Sequence, residues 1–333
     1  MERLKLGLLL PHFGHHASPE GVVEMVPRIE ELGFASVWVR DHLVFRPHAM
    51  EAPDRTHVEP TVVLSAVAAK SKSLELGTAS LIPYRHPIHC ALTLASLDWL
   101  SGGRVIAGFG LGTFNHEFES IGLGAADRRE LLREQIDIMR RLWSGSEIDH
   151  SGKYYDFSAV DIHPEPLGHK IPIWYCGTSP AAARRTVEWD LQGWMPGRIN
   201  YATFASRVDR IRQFTERRET DAGTQPVMAA IPITSPGSSK EEGLKRVNVD
   251  EILGQARNGG WVSNRGEGFS SVDDIAGAVL AGRAEDIAEG VEKYRELGLS
   301  HLVFDLRLRF DEWEELVEFL GSEVLPLLQG AQT

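Results

Sequence analysis

The chain has 333 residues, 42% hydrophobic and 25% charged, a composition that excludes wholesale disorder. Its 47 acidic and 35 basic residues give a net charge of −12, which argues against non-specific nucleic-acid binding and a basic membrane-surface protein. Two cysteines, Cys90 and Cys176, cannot build a disulfide framework or a four-thiolate zinc site, and no apolar run reaches the roughly 18–20 residues that span a bilayer. The first apolar run ends in Pro11-His12 without a signal-peptide cleavage pattern, so the expected setting is the cytoplasm.

In chain order, Leu4 to Leu10 is a near-continuous apolar run, as expected for a strand buried on both faces. Ser18-Pro19-Glu20 opens a helical pattern that stops at Gly33, with Pro27 inside it predicting a kink or a restart. Ser36 to Val39 is a second strand and Pro60 to Lys72 a Val- and Ala-rich helix. Leu74 to Ile82 is a third strand, Ile88 to Leu100 a helix, Val105 to Phe109 a fourth strand and Asp127 to Trp143 an amphipathic helix. The aromatic stretch around Lys153-Tyr154-Tyr155 has no strong period. Ile171 to Cys176 and Gly193 to Pro196 are strands five and six, followed by helices at Ser179 to Trp189 and Tyr201 to Arg218. Val227 to Thr234 and His301 to Leu306 are strands seven and eight, and Trp313 to Leu328 is the closing helix. Eight such βα repeats predict a (β/α)8 TIM barrel over residues 1–333, with an open doubly wound sheet as the alternative. Ser235 to Ser271 interrupts the pattern as an insertion after strand seven, with a helical piece at Val249 to Arg257 and the glycines 259, 260, 266 and 268. A segment this long at the rim predicts a lid, with Trp261 and Phe269 able to cover a bound ring; a variable surface excursion is the plain alternative.

Barrel chemistry sits just after the strand ends. That rule selects Pro11-His12, Asp41 and His42, Ala79 and Ser80, Arg85-His86-Pro87, the run Gly108 to Glu117, Gly177-Thr178-Ser179, and Trp194, Met195 and Arg198. A histidine titrating near neutrality suits proton transfer, although Asp41-His42 could equally be a structural pair. His12, His15 and His16 show no metal-ligand spacing with an acidic partner, so they read as solvent-facing loop residues and no metal is expected. Cys176 reads as a small buried hydrophobe. Gly108, Gly110 and Gly112 resemble a dinucleotide turn, but Thr113 occupies the last glycine position and the strand is the fourth. Gly177-Thr178-Ser179 opens a helix, which makes either an anion site or an ordinary N-cap.

Together these residues resemble the bacterial-luciferase-like family of flavin- or coenzyme F420-dependent oxidoreductases. The resemblance rests on Arg85-His86-Pro87, on Leu97-Asp98-Trp99-Leu100-Ser101-Gly102-Gly103-Arg104, on Gly108 to Gly112 and on Glu117 to Gly122. Leu32-Gly33-Phe34 with Trp38 and Asp41-His42, and Cys176 to Pro180 with Gly193-Trp194, extend it over nearly the whole chain. It implies a TIM barrel with an insertion after strand seven, a homodimer, and His42 as the active-site histidine. It places a cis peptide at Ala79-Ser80 against the cofactor ring. Gly112, Thr113, His116 and Glu117 would contact the cofactor, Gly177, Thr178 and Ser179 would hold its phosphate, and Asp41 would contact it or orient His42. Asp-His after strand two implies F420 rather than FMN, and Leu111 stands where bacterial luciferase carries an arginine. The implied activity is hydride transfer between the deazaflavin and a small organic substrate. The alternatives are a two-component monooxygenase that receives reduced FMN from a separate reductase and activates oxygen, and a non-catalytic flavin-binding barrel.

Overall fold

Among the described residues twelve strands form in chain order: β1 (Lys5–Leu9), β2 (Ser36–Val39), β3 (Glu75–Thr78), β4 (Val105–Phe109), β5 (Ile148–Ser151), β6 (Asp156–Val160), β7 (Ile173–Cys176), β8 (Gly193–Met195), β9 (Val227–Ala230), β10 (Ile233–Pro236), β11 (Val279–Gly282) and β12 (His301–Phe304). They belong to a computed structural model that describes residues 4–47, 50–51, 53–218, 225–258, 261–262 and 268–330. Eight of them close a parallel barrel in the order β1-β12-β9-β8-β7-β4-β3-β2, with β2 pairing back to β1. Nearly every barrel-strand residue is buried, which is why the strands read as continuous apolar runs instead of alternating ones.

The barrel interior is filled by Trp38 and Trp174, whose rings lie 5.2 Å apart, with His301 edge-on to both. Glycines on three strands make room for the indoles. A Cβ at Gly77 would lie 2.2 Å from the Trp38 ring, one at Gly193 2.5 Å from Trp174, and one at Gly7 2.1 Å from Ser36 Oγ. Real side chains do not approach so closely, so two large residues and three absent ones are a single packing decision.

Two prolines restart helices in the same way. A wide π turn at Glu20–Glu24 precedes the helix Val26–Glu31, which has Pro27 in its first turn. The closing helix is likewise divided into Trp313–Phe319 and Leu325–Gly330 by a π turn at Leu320–Val324, with Pro326 in the first turn of the second piece. A proline has no N–H to donate and its ring opposes the carbonyl four residues back, so the helix widens ahead of it.

Three expectations are corrected. Val227 to Thr234 is not one strand: β9 ends at Ala230, and beyond Pro232 the chain pairs as β10 with β11 outside the barrel. Proline cannot donate to a ladder, so the strand breaks there. The aromatic stretch near Tyr154 connects an antiparallel hairpin, β5 and β6. The insertion therefore starts before Ser235, and β10–β11 brackets it together with the helices Lys240–Arg246 and Val249–Arg257. It carries a small core of its own, including Ile233, Ile252, Leu253, Phe269 and Val279. Phe269 is buried in that core and meets Trp261 edge-on at 5.9 Å, so it does not cover the cavity. Gly259, Gly260 and Gly266 lie outside the described residues; Gly268 adopts φ +78.

Candidate active site

The C-terminal ends of β2, β3, β4 and β7 open on a cavity of about 430 Å³. Asp41, His42, Ala79, Ser80, Gly112, Thr113, Glu117, Gly177, Thr178 and Ser179 all line it. His116 does not. Its Nε2 meets the Val44 carbonyl at 3.0 Å, so it pins the segment after His42 from behind.

His42 is the most constrained of these side chains. Its Nε2 lies 2.7 Å from Arg40 Nη2 and its Nδ1 lies 3.3 Å from Glu117 Oε1. A guanidinium carries only donors, so Nε2 is the accepting nitrogen and Nδ1 carries the proton, aimed at the carboxylate. Glu117 also accepts from the Leu43 and Val44 N–H groups at 2.8 and 3.1 Å and from Tyr84 at 2.5 Å. Burial would push its carboxyl up, but hydrogen bonds led by those from His42 and Tyr84 outweigh that and bring it down to about 2. Burial first, and then the bonded carboxylate, pushes the Tyr84 phenol well up, so it stays a donor.

Asp41 faces elsewhere. Its carboxylate accepts from Arg85 at 2.6 and 3.0 Å and from the Ile82 N–H at 3.0 Å. Arg85 continues to Glu59. Asp41 thus anchors the loop after β3, and Glu117, not Asp41, orients the histidine. In that loop the Ala79–Ser80 peptide is cis.

His12 is fully buried, contrary to the solvent-facing expectation. Its Nδ1 donates to the Val58 carbonyl and its Nε2 accepts from the Arg40 N–H, both at 3.0 Å, and burial brings it down to about 3. It is a satisfied core histidine beneath Arg40. His57 stands edge-on to His42 at 5.4 Å, and burial, then the neighbouring His12, lowers it to about 2.

Backbone forms the opposite wall. A Cβ at Gly110 would lie 2.4 Å from Ser80 Oγ, and Gly112 has φ +72, so both positions require glycine. Ser179 caps the helix Pro180–Glu188 by accepting from the Ala182 N–H at 3.2 Å. Trp194 Nε1 donates to the Gly177 carbonyl and Arg207 Nε to the Thr178 carbonyl, which fixes the segment ahead of the helix. Burial pushes the Cys176 thiol up to about 12, so it is no nucleophile.

The strand-end rule selects Arg198 but misses three other arginines. Arg40, Arg185 and Arg307 line the cavity. Arg185 donates to Tyr175 OH at 2.9 Å near the start of the capped helix. Arg40 pairs with Glu51, and Arg307 binds Asp305 through Nε at 2.7 Å. Arg198 stands near enough to feel Arg307 and Arg40, and burial, then those charges, brings it down to about 10. Arg40 directly follows β2, so the strand-end rule could have selected it.

The family model of luciferase-like monooxygenases matches residues 5–301. An F420-dependent glucose-6-phosphate dehydrogenase from Microbacterium testaceum is 27% identical over 95% of this chain and 97% of its own. The oxygenase component of a flavin-dependent trigonelline monooxygenase from Acinetobacter baylyi is 30% identical over 48% of this chain and 43% of its own. Among solved structures, the coenzyme F420 dependent tetrahydromethanopterin reductase from Methanopyrus kandleri superposes with a TM-score of 0.74 at 20% identity, covering 98% of this chain and 99% of that one. With a family match across nearly the whole chain, carried by the same closed barrel, this protein belongs to the luciferase-like monooxygenase family.

Proposed function

We propose that this enzyme is an F420-dependent oxidoreductase that moves a hydride between the deazaflavin and a small organic substrate. The observation that carries the reading is the His42–Glu117 pair facing a cavity whose other wall is glycine backbone and a capped helix start. The near-full-length relative is F420-dependent, which supports the deazaflavin over FMN. The residues present fit such a cofactor. The Gly110 and Gly112 backbone leaves room for a flat ring beside Ser80, and Thr178, Ser179 and Arg185 can hold a phosphate.

Bound there, the cofactor would supply the hydride chemistry. The chain handles the proton. His42 Nε2 takes up or releases it, and Glu117, bonded to Nδ1, stabilises the imidazolium that forms. Arg40 Nη2 donates to that lone pair at rest and holds the ring in place, and it must withdraw as Nε2 takes up a proton. Tyr84 and the Leu43 and Val44 N–H groups keep Glu117 charged.

The relative that is an oxygenase component keeps a second reading open: an FMN monooxygenase served by a separate reductase. The non-catalytic reading leaves the His42–Glu117–Tyr84 arrangement without a use. A spectroscopic titration with F420 and FMN, each oxidised and reduced, decides among them. F420 binding with oxygen-independent turnover supports the proposal. Oxygen-dependent turnover of reduced FMN replaces it, and binding without turnover supports the inert barrel.

A homodimer fits the outer surface. The helices Pro60–Lys70 and Pro87–Ser101 pack side by side and expose Val62, Leu92, Trp99 and Leu100, with scarcely a charge between them. Helices apolar around most of their circumference are buried in an assembly. No helix among the described residues is long and apolar enough to cross a membrane.

A further inference from the structure

A second cavity of about 190 Å³ lies at the rim between the segment after β1 and the turn Arg307–Glu312 after β12. His15, His16, Asp54 and Asp311 are among its lining residues. His15 Nε2 and His16 Nε2 lie 3.6 and 3.5 Å from the same oxygen, Asp311 Oδ1. These are too long for good hydrogen bonds. They match two ligands on one small ion: with metal–ligand bonds of about 2.0–2.1 Å, tetrahedral ligand atoms stand about 3.4 Å apart. The two ring centroids are only 3.6 Å apart. The turn holds this crowding in place. Gly14 adopts φ +69, donates its N–H to the Thr56 carbonyl at 2.8 Å, and accepts from Ala17 at 3.1 Å. The His16 ring rests edge-on against Phe310, the residue before Asp311.

We propose that His15, His16 and Asp311 form a binding site for one divalent transition-metal ion. Among the described residues, these three side chains bring ligand atoms within 4.8 Å of one another. Two imidazoles and a carboxylate select Zn²⁺ and its neighbours over Mg²⁺ or Ca²⁺, which take oxygen ligands. Of the cavity's other two carboxylates, Glu51 pairs with Arg40, and Asp54 adds a second negative charge toward a divalent ion. The Asp311 side chain is 80% exposed, so water fills the remaining coordination positions and affinity is modest. The ion would tie the segment after the first barrel strand to the segment after the last. Arg307 begins the tied turn and also lines the larger cavity, so metal occupancy would stiffen one wall of the active site.

The test is calorimetric titration of the untagged full chain with Zn²⁺ alone and with Mg²⁺ alone. Wild type, His16→Ala and Asp311→Asn are compared, with hydrogen exchange recorded with and without Zn²⁺. The proposal expects one Zn²⁺ per chain and no saturable Mg²⁺ binding. Affinity should fall at least tenfold in each variant, and Zn²⁺ should slow exchange at residues 14–17 and 307–312. Asp311→Asn changes an exposed side chain and keeps the test valid should His16→Ala misfold. Absence of saturable Zn²⁺ binding by wild type overturns the proposal. So does unchanged Zn²⁺ affinity in Asp311→Asn, which would put the ion at other histidines.

Discussion

The barrel holds two buried polar layers that differ in charge. In the lower layer His301 Nε2 meets Ser36 Oγ at 2.7 Å, Trp38 Nε1 donates to the same hydroxyl, and the indoles of Trp38 and Trp174 close over them. The partners named there are neutral, and burial brings His301 down to about 3. In the upper layer, at the strand ends, His42 stands between a guanidinium and a carboxylate. Each layer orients an imidazole. Only the upper one sets it between a donating guanidinium and an accepting carboxylate, and only there does the wall open on a cavity. A buried histidine is therefore a functional signal by its charged neighbours, not by its burial.

Exchanging each histidine separates the layers most strongly. His42→Ala should lower turnover by about 10²–10⁴, the general acid–base range, with cofactor affinity nearly unchanged. Steady-state kinetics beside a binding titration measures both, and wild-type turnover would remove His42 from the chemistry. In the lower layer the expected effect is on pH-dependent stability. His301 is neutral in the fold down to about 3, whereas in the unfolded chain it gains a proton below about 6.5. Its contribution is complete above pH 6.5 and is lost as pH falls from there toward 3, at about 1.4 kcal/mol per pH unit. His12, at about 3 for the same reason, adds to the slope. Denaturant midpoints between pH 4 and 7 should show this, and His301→Gln should flatten the slope by about one proton's worth. An unchanged slope would mean that the core histidine already titrates in the fold.

A smaller effect tests the packing between the layers. Gly77→Ala would set a Cβ 2.2 Å from Trp38, where neighbouring strands allow little retreat. Overpacking of this kind costs about 1–3 kcal/mol. Gly197, at the rim, has only Thr178 Oγ1 at 3.9 Å, so Gly197→Ala should be near neutral. Equal loss of stability in both variants would contradict the account of how the barrel fits two indoles.

The strands of both layers were legible in the sequence because a parallel barrel buries both faces of each one. β2 and β4 span the same residues in sequence and structure. The wiring between distant residues was not. Nothing local pairs Asp41 with Arg85 or His42 with Glu117. One stretch of the family resemblance, Leu97 to Arg104, is architecture. Asp98 accepts from the Val105 and Leu167 N–H groups, Gly102 and Gly103 turn with positive φ, and Arg104 reaches the Ser101 and Leu74 carbonyls. That motif identifies the fold by closing a helix onto a strand, while the chemistry rests on side chains brought together by closure of the barrel.

His116 tests the edge of the upper layer and carries the smallest expected effect. The resemblance gives it a cofactor contact, yet its ring lies outside the cavity, bonded to the Val44 carbonyl and leaning on Phe114 at 5.8 Å. A partly exposed hydrogen bond of this kind contributes about 0.5–1.5 kcal/mol at most. Val44 is also held by Glu117 through its N–H, so the segment keeps a second anchor when the histidine is removed. His116→Ala should therefore change cofactor affinity less than about fivefold, equivalent to roughly 1 kcal/mol. Turnover should fall only as far as loosening of the Leu43–Val44 segment disturbs Glu117. A fluorescence titration of the variant measures the first quantity. A loss beyond about fiftyfold would mean that the ring turns inward when the cofactor binds, restoring the direct contact this geometry denies it.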